Sequence, residues 1–178
     1  MATYPSALGH SANTNTAAPA STRARPASAS SLSQPTAPAD TAQRPRWVLD
    51  TNIVLDVFLF ADPAAQPLRE ALTQARIRWI STAPMREELV RVLGYPYIAK
   101  RMDFYQRSAE DLLHAYDTHS HTVDAAPRAP LRCKDPDDQR FIDLALAHQA
   151  GLLSKDHAVL CMAKRLRALG VPYVGTTF

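Results

Sequence analysis

Arg46-Trp47-Val48-Leu49-Asp50-Thr51-Asn52-Ile53-Val54-Leu55-Asp56 decides how this chain is read. Trp47, Val48 and Leu49 form a continuous apolar run, as in a strand buried on both faces of a parallel sheet. Asp50, Thr51 and Asn52 then supply helix-capping chemistry, and Ile53, Val54 and Leu55 restart an apolar pattern. Asp50 is therefore expected where a central strand hands over to a helix. In open α/β sheets, ligands bind outside the carboxyl ends of the strands.

Outward from this stretch, helical and extended patterns alternate. Helices are expected over 53–60, 64–76 and from Pro84 to Gly94. Tyr97–Lys100 reads as about one turn. A longer helix over 103–116 turns Tyr105, Ala109, Leu112, Leu113 and Tyr116 inward. Strands are expected at 77–81, 119–123, 152–154 and 172–175. Asp135-Pro136-Asp137-Asp138 opens a strong helix through His148, and a last helix covers 158–169. The alternation argues an α/β layer fold with a parallel sheet and right-handed crossovers. Residues 127–134 are irregular.

Residues 1–44 are Ala, Ser, Thr and Pro with almost no large aliphatic side chains, and read as a disordered extension. The domain begins at about Pro45 and runs to residue 178. A net charge of +3 permits a nucleic-acid partner without demanding one. Cys133 and Cys161 lack metal or redox spacing and read as idle thiols of a reducing, cytoplasmic compartment. No stretch has the length and apolarity of a membrane span.

Two of the expected strands end in carboxylates, Asp50 and Asp156. Two helix starts carry more, Glu87-Glu88 and Asp135, Asp137 and Asp138. If the sheet is parallel, these acids gather on one edge. Each also has a plainer role. Asp50 and Asp156 are good helix caps. Asp135 as N-cap, Pro136 as first helical residue and Asp138 as the acid reaching back form a capping arrangement. Asp138 shares a helical stripe with Phe141, Ile142 and Ala145, so it leans inward, and Glu88 borders the stripe of Met85, Leu89 and Val92. Inward acids without cationic partners are costly and raise one another's pKa. A hard divalent ion with oxygen ligands relieves both problems.

These residues, "VLDTNIVLD", the acid in "EELVRVL", "CKDPDDQRFIDLALA" and "LLSKD", closely resemble the PIN-domain ribonucleases. They match in particular the bacterial subfamily of toxins from toxin–antitoxin modules, over roughly residues 46–178. The resemblance implies a three-layer α/β/α fold with a central parallel sheet of four to five strands. It implies a Mg²⁺- or Mn²⁺-dependent endoribonuclease leaving 5′-phosphate and 3′-hydroxyl ends, with a cognate antitoxin and a second copy of the chain as partners. Residue by residue, Asp50 matches the first catalytic acid, Glu88 the second, Asp138 the third with Asp135 as a rival, and Asp156 the fourth. Asn52 matches the polar residue that helps hold water or ligand. Lys155 departs from the small or polar residues usual before the fourth acid.

Arg132, Lys134 and Arg140 flank the acid-rich turn and are the candidate RNA-backbone contacts. Two other readings stand beside the nuclease: a non-catalytic PIN-like module that binds RNA or protein, and another acid-edged α/β enzyme such as a phosphatase. Asn52, where an aspartyl-phosphate phosphatase would carry a second Asp, speaks against the last.

Overall fold

Five short strands pair side by side, every pair parallel: β1 (Arg46–Leu49), β2 (Arg78–Ser81), β3 (Ser120–Thr122), β4 (Gly151–Leu153) and β5 (Val174–Gly175). Their order across the sheet is β3-β2-β1-β4-β5, which puts the opening stretch in the middle. The computed structural model describes residues 44–178. The extension read as disordered over 1–44 lies, but for its last residue, outside the described residues. Helices α1 (Thr51–Phe58), α2 (Gln66–Thr73), α3 (Ala83–Leu93), α4 (Pro96–Phe104) and α5 (Ala109–His119) precede the longest loop. Helices α6 (Gln139–Ala147), α7 (His157–Leu160) and α8 (Ala163–Ala168) follow it.

The two-residue period of extended chain explains the two cores. Leu49, Trp79 and Leu153 point to one face and join α1–α5, with Ile53, Leu68, Leu89 and Tyr116 in the same cluster. Their neighbours Val48, Ile80 and Leu152 point to the other face and join α6–α8, with Phe141, Ile142, Val159 and Leu166. Both faces of the central strands are thus covered. This is why their sequences read as continuous rather than alternating apolar runs. The result is a three-layer α/β/α fold on a five-stranded, all-parallel sheet.

At the β1–β4 seam Trp47 is paired in register with Gly151. A Cβ at Gly151 would stand 2.6 Å from the Trp47 ring, so only glycine lets the indole lie over this strand. Connections from β1 run to β2 and β3 on one side, and the chain then returns to place β4 on the other. The seam between β1 and β4 is therefore the topological switch point, the position at which open α/β sheets bind their ligands.

Several local expectations are corrected. The helix expected from Asp135 to His148 is α6, which begins only at Gln139. Residues 136–138 form a turn, and the Asp135–Asp138 capping arrangement is absent. Asp135 instead accepts the Asp137 amide at 2.9 Å, an Asx-turn that competes with helical bonding. The single turn at 97–100 is a full helix, α4, and the helix expected from 103 breaks before Ser108. There Ser108 and Asp111 form a reciprocal capping box that starts α5. The break leaves Tyr105 39% exposed instead of buried, although Leu112 and Tyr116 do face the core. The last helix is divided into α7 and α8. Among the described residues no helix is long and apolar enough to cross a membrane.

Candidate active site at the carboxyl edge of the sheet

Asp50 lies at the end of the central strand, in the N-cap position of α1, yet its side chain makes no capping bond. It is only 3% exposed. Its carboxylate turns across the switch point, where Ser154 Oγ donates to Oδ2 at 2.6 Å. Ser154 is fully buried and in turn accepts the Asp156 amide at 2.9 Å. One hydroxyl thus ties the acid after β1 to the turn after β4. Burial pushes the Asp50 carboxyl up, while the Ser154 hydroxyl and the Thr51 and Asn52 amides pull against it. The charge of Asp156 adds to the upward push.

Glu88, on α3, comes in from the β2 side. Thr51 Oγ1 donates to its Oε1 at 3.3 Å, and Arg140 Nη1 stands 3.3 Å from its Oε2. That arginine contact is ionic in distance but lacks hydrogen-bond alignment, so Oε2 is buried without a hydrogen bond. Burial raises the Glu88 carboxyl; Arg140 lowers it, and Asp50 raises it again.

Asp138, just before α6, is the least accommodated acid. Its Oδ2 is buried and has no hydrogen-bond partner. Burial, followed by the charges of Asp50, Asp156, Asp135 and Glu88, pushes its carboxyl up to about 7. The three other acids matched to the catalytic set, and the rival Asp135, therefore all act on this one carboxyl. The rival Asp135 is exposed and spent on its turn. Asp156 does cap its helix, accepting the Ala158 amide at 2.6 Å on Oδ1.

The flanking residues divide. Asn52 is exposed at the second position of α1. Arg132 and Lys134 are exposed on the loop before α6. The Arg140 guanidinium is engaged by the chain itself, donating to Asp137 O at 3.0 Å and Pro84 O at 3.1 Å. Lys155 turns away from the four acids to pair with Asp56 at 2.7 Å and Asp62 at 3.5 Å.

Two residues escaped the sequence reading. Ser154 is one; the only hint was a hydroxyl closing a buried strand two positions before an acid. Gln139 is the other. It accepts the Cys133 amide at 2.7 Å and donates to Leu131 O at 3.0 Å and Asp143 at 2.7 Å, which clamps the acid-rich loop onto α6.

A family model described as a PIN domain matches residues 46–158, well over half of the chain. The chain belongs to the PIN domain family. No curated protein matches it significantly. The match covers β1 through the start of α7, so every acid of the PIN-domain edge described above falls inside it. The PIN domain is a nuclease-type fold.

The donor set of this PIN domain suits a hard divalent cation chemically: oxygen ligands only, clustered negative charge, and an orphaned carboxylate oxygen on Asp138. Among the described residues no three His, Cys, Asp or Glu side chains form a ready-made metal-holding group. Asp50, Glu88 and Asp156 each hold a hydrogen bond within the chain.

Proposed function

We propose that the chain is a divalent-metal-dependent endoribonuclease that hydrolyses RNA phosphodiester bonds, and that it serves as the toxin of a type II toxin–antitoxin module. The observation that carries the nuclease reading is Asp138. It is a buried, unpaired carboxylate oxygen under the repulsion of four other acids, at the switch point of a PIN domain. Asp50, Glu88, Asp138 and Asp156 are the residues that would hold Mg²⁺ or Mn²⁺, with Asp135 at their margin. Such an ion supplies acidity to a water and stabilises charge on the phosphoryl group when bound.

The chain's own part is positioning. Ser154 fixes Asp50 and the Asp156 turn relative to each other, so two acids from different strands keep one geometry. Asn52, exposed beside Asp50, completes the polar rim. Arg132 and Lys134, exposed on the loop that delivers Asp138, hold the RNA backbone by charge alone, which gives affinity without sequence preference. The toxin role, with an antitoxin protein and a homodimer as partners, rests on the subfamily resemblance of "LDTN" and "DPDD".

The test is cleavage of a labelled single-stranded RNA by the purified protein. Cleavage is expected with Mn²⁺ or Mg²⁺, abolished by EDTA, with 5′-phosphate ends on the products. Cleavage that survives the chelator, or intact RNA under every metal tried, would remove the nuclease assignment. Intact but bound RNA would support the non-catalytic module instead.

A further inference from the structure

Of the carboxylates at the switch point, only Glu88 has a cation of the chain within ion-pair distance among the described residues, and that cation is Arg140. We propose that Arg140 is the resident counter-cation of Glu88, a positioning residue that competes with the divalent ion for that carboxylate and so sets the metal demand of the site. The proposal rests on the metal-site reading above.

Three observations carry it. First, Arg140 does not depend on Glu88 for its place. Its Nε donates to Asp137 O at 3.0 Å and its Nη1 to Pro84 O at 3.1 Å, so the guanidinium bridges the start of α6 to the start of α3. Second, the contact with Glu88 is exchangeable. Arg140 Nη1 lies 3.3 Å from Oε2, yet that oxygen has no hydrogen bond, so only charge holds the pair. Third, both groups are sheltered, with side chains 29% and 13% exposed, and solvent screens the pair less than it would at the open surface.

Together these fix a positive charge beside the acids whether or not an ion is present. A dication approaching Glu88 must overcome that charge and share its oxygen. Once the ion holds Glu88, Arg140 keeps its carbonyl anchors and need not leave. Neutralising Arg140 therefore raises the net negative charge of the site and frees Oε2. A purely structural Arg140 would instead loosen the α3–α6 junction and weaken metal binding.

The experiment is isothermal titration calorimetry of Mn²⁺ into the full-length chain. Arg140→Gln is expected to tighten Mn²⁺ binding about tenfold, chiefly from release of Glu88 Oε2 from its counter-charge. Arg140→Met, which keeps the aliphatic stem, should match it and serves if the Gln variant folds poorly. Arg140→Lys, which keeps the charge, should stay within about threefold of wild type. In a Glu88→Gln background the effect of Arg140→Gln should shrink below about threefold, since the two act through one contact. Equal or weaker Mn²⁺ binding by both neutral variants would overturn the proposal, as would undiminished tightening in the Glu88→Gln background. Absence of Mn²⁺ binding by the wild-type chain would overturn the metal reading itself, a result separable from failure of the Arg140 role.

Discussion

Asp50→Asn is expected to lower Mn²⁺-dependent RNA cleavage by about a thousandfold or more, on the order of 4 kcal/mol of transition-state stabilisation. Asp50 ends the central strand, is almost fully buried, and is fixed by the Ser154 hydroxyl. The amide oxygen of Asn can still accept that hydroxyl, so the fold should survive. What the variant loses is the negative charge at the point where the β1 and β4 edges meet, one of the four carboxylates proposed to hold the dication. Single-turnover cleavage, with unfolding temperature as the control for integrity, separates lost chemistry from lost structure. Equal rates for the two proteins would refute the role of Asp50.

Asp138→Asn is expected to stabilise the metal-free fold. Its carboxyl has an ordinary value of 3.8 and is lifted to about 7 in the folded chain, by burial first and by Asp50, Asp156, Asp135 and Glu88 after it. The folded state therefore keeps a proton that the unfolded state gives up. Between about pH 4 and pH 7 the stability of the metal-free protein should fall as pH rises, and above that range the loss from this group is complete. Asp50 and Glu88 are raised as well and act in the same direction. Asn carries no charge, so in EDTA the variant should unfold about 2–5 °C higher than wild type at pH 8, and its stability should vary less with pH. Wild type should recover when Mn²⁺ is added, by about 2.7 kcal/mol at a hundredfold excess over Kd, and the variant should not. Thermal unfolding in EDTA and in Mn²⁺, from pH 5 to pH 8, checks both halves. A lower unfolding temperature for Asp138→Asn in EDTA at pH 8 would show that Asp138 supports the fold and does not strain it.

The place of Asp50 was legible in the sequence because the run Trp47–Leu49 is apolar on both faces and breaks abruptly at a polar triplet. The parallel sheet followed from the alternation of periods, and both cores follow from residues such as Val48 and Leu49 pointing opposite ways. The start of α6 was misread because Asp135, Pro136 and Asp138 are all favoured at helix starts. The side chain of Asp135 bonds within its own turn instead, and the turn delays the helix to Gln139. The break before α5 had a local signal, Ser108 three residues before Asp111, that helical spacing across 103–116 outweighed. Ser154 could not be read at all as a partner of Asp50. The two are 104 residues apart, and only the pairing of β1 with β4 brings them together. The engagement of Arg140 by Glu88 and Pro84 was hidden for the same reason. Sequence showed a cation beside an acid-rich turn, and only the reach of the Arg140 side chain to the first turns of α3 shows which acid it meets.

The most direct test is a crystal structure of the protein soaked in Mn²⁺ with anomalous diffraction recorded at the manganese edge. An anomalous peak is expected beyond the ends of β1 and β4, with oxygens of Asp50 and Asp138 at ligand distance and Glu88 or Asp156 completing the protein share of the shell. No peak at that edge, with Asp138 unchanged or paired to a basic side chain, would contradict the claim that these acids are gathered to hold a dication.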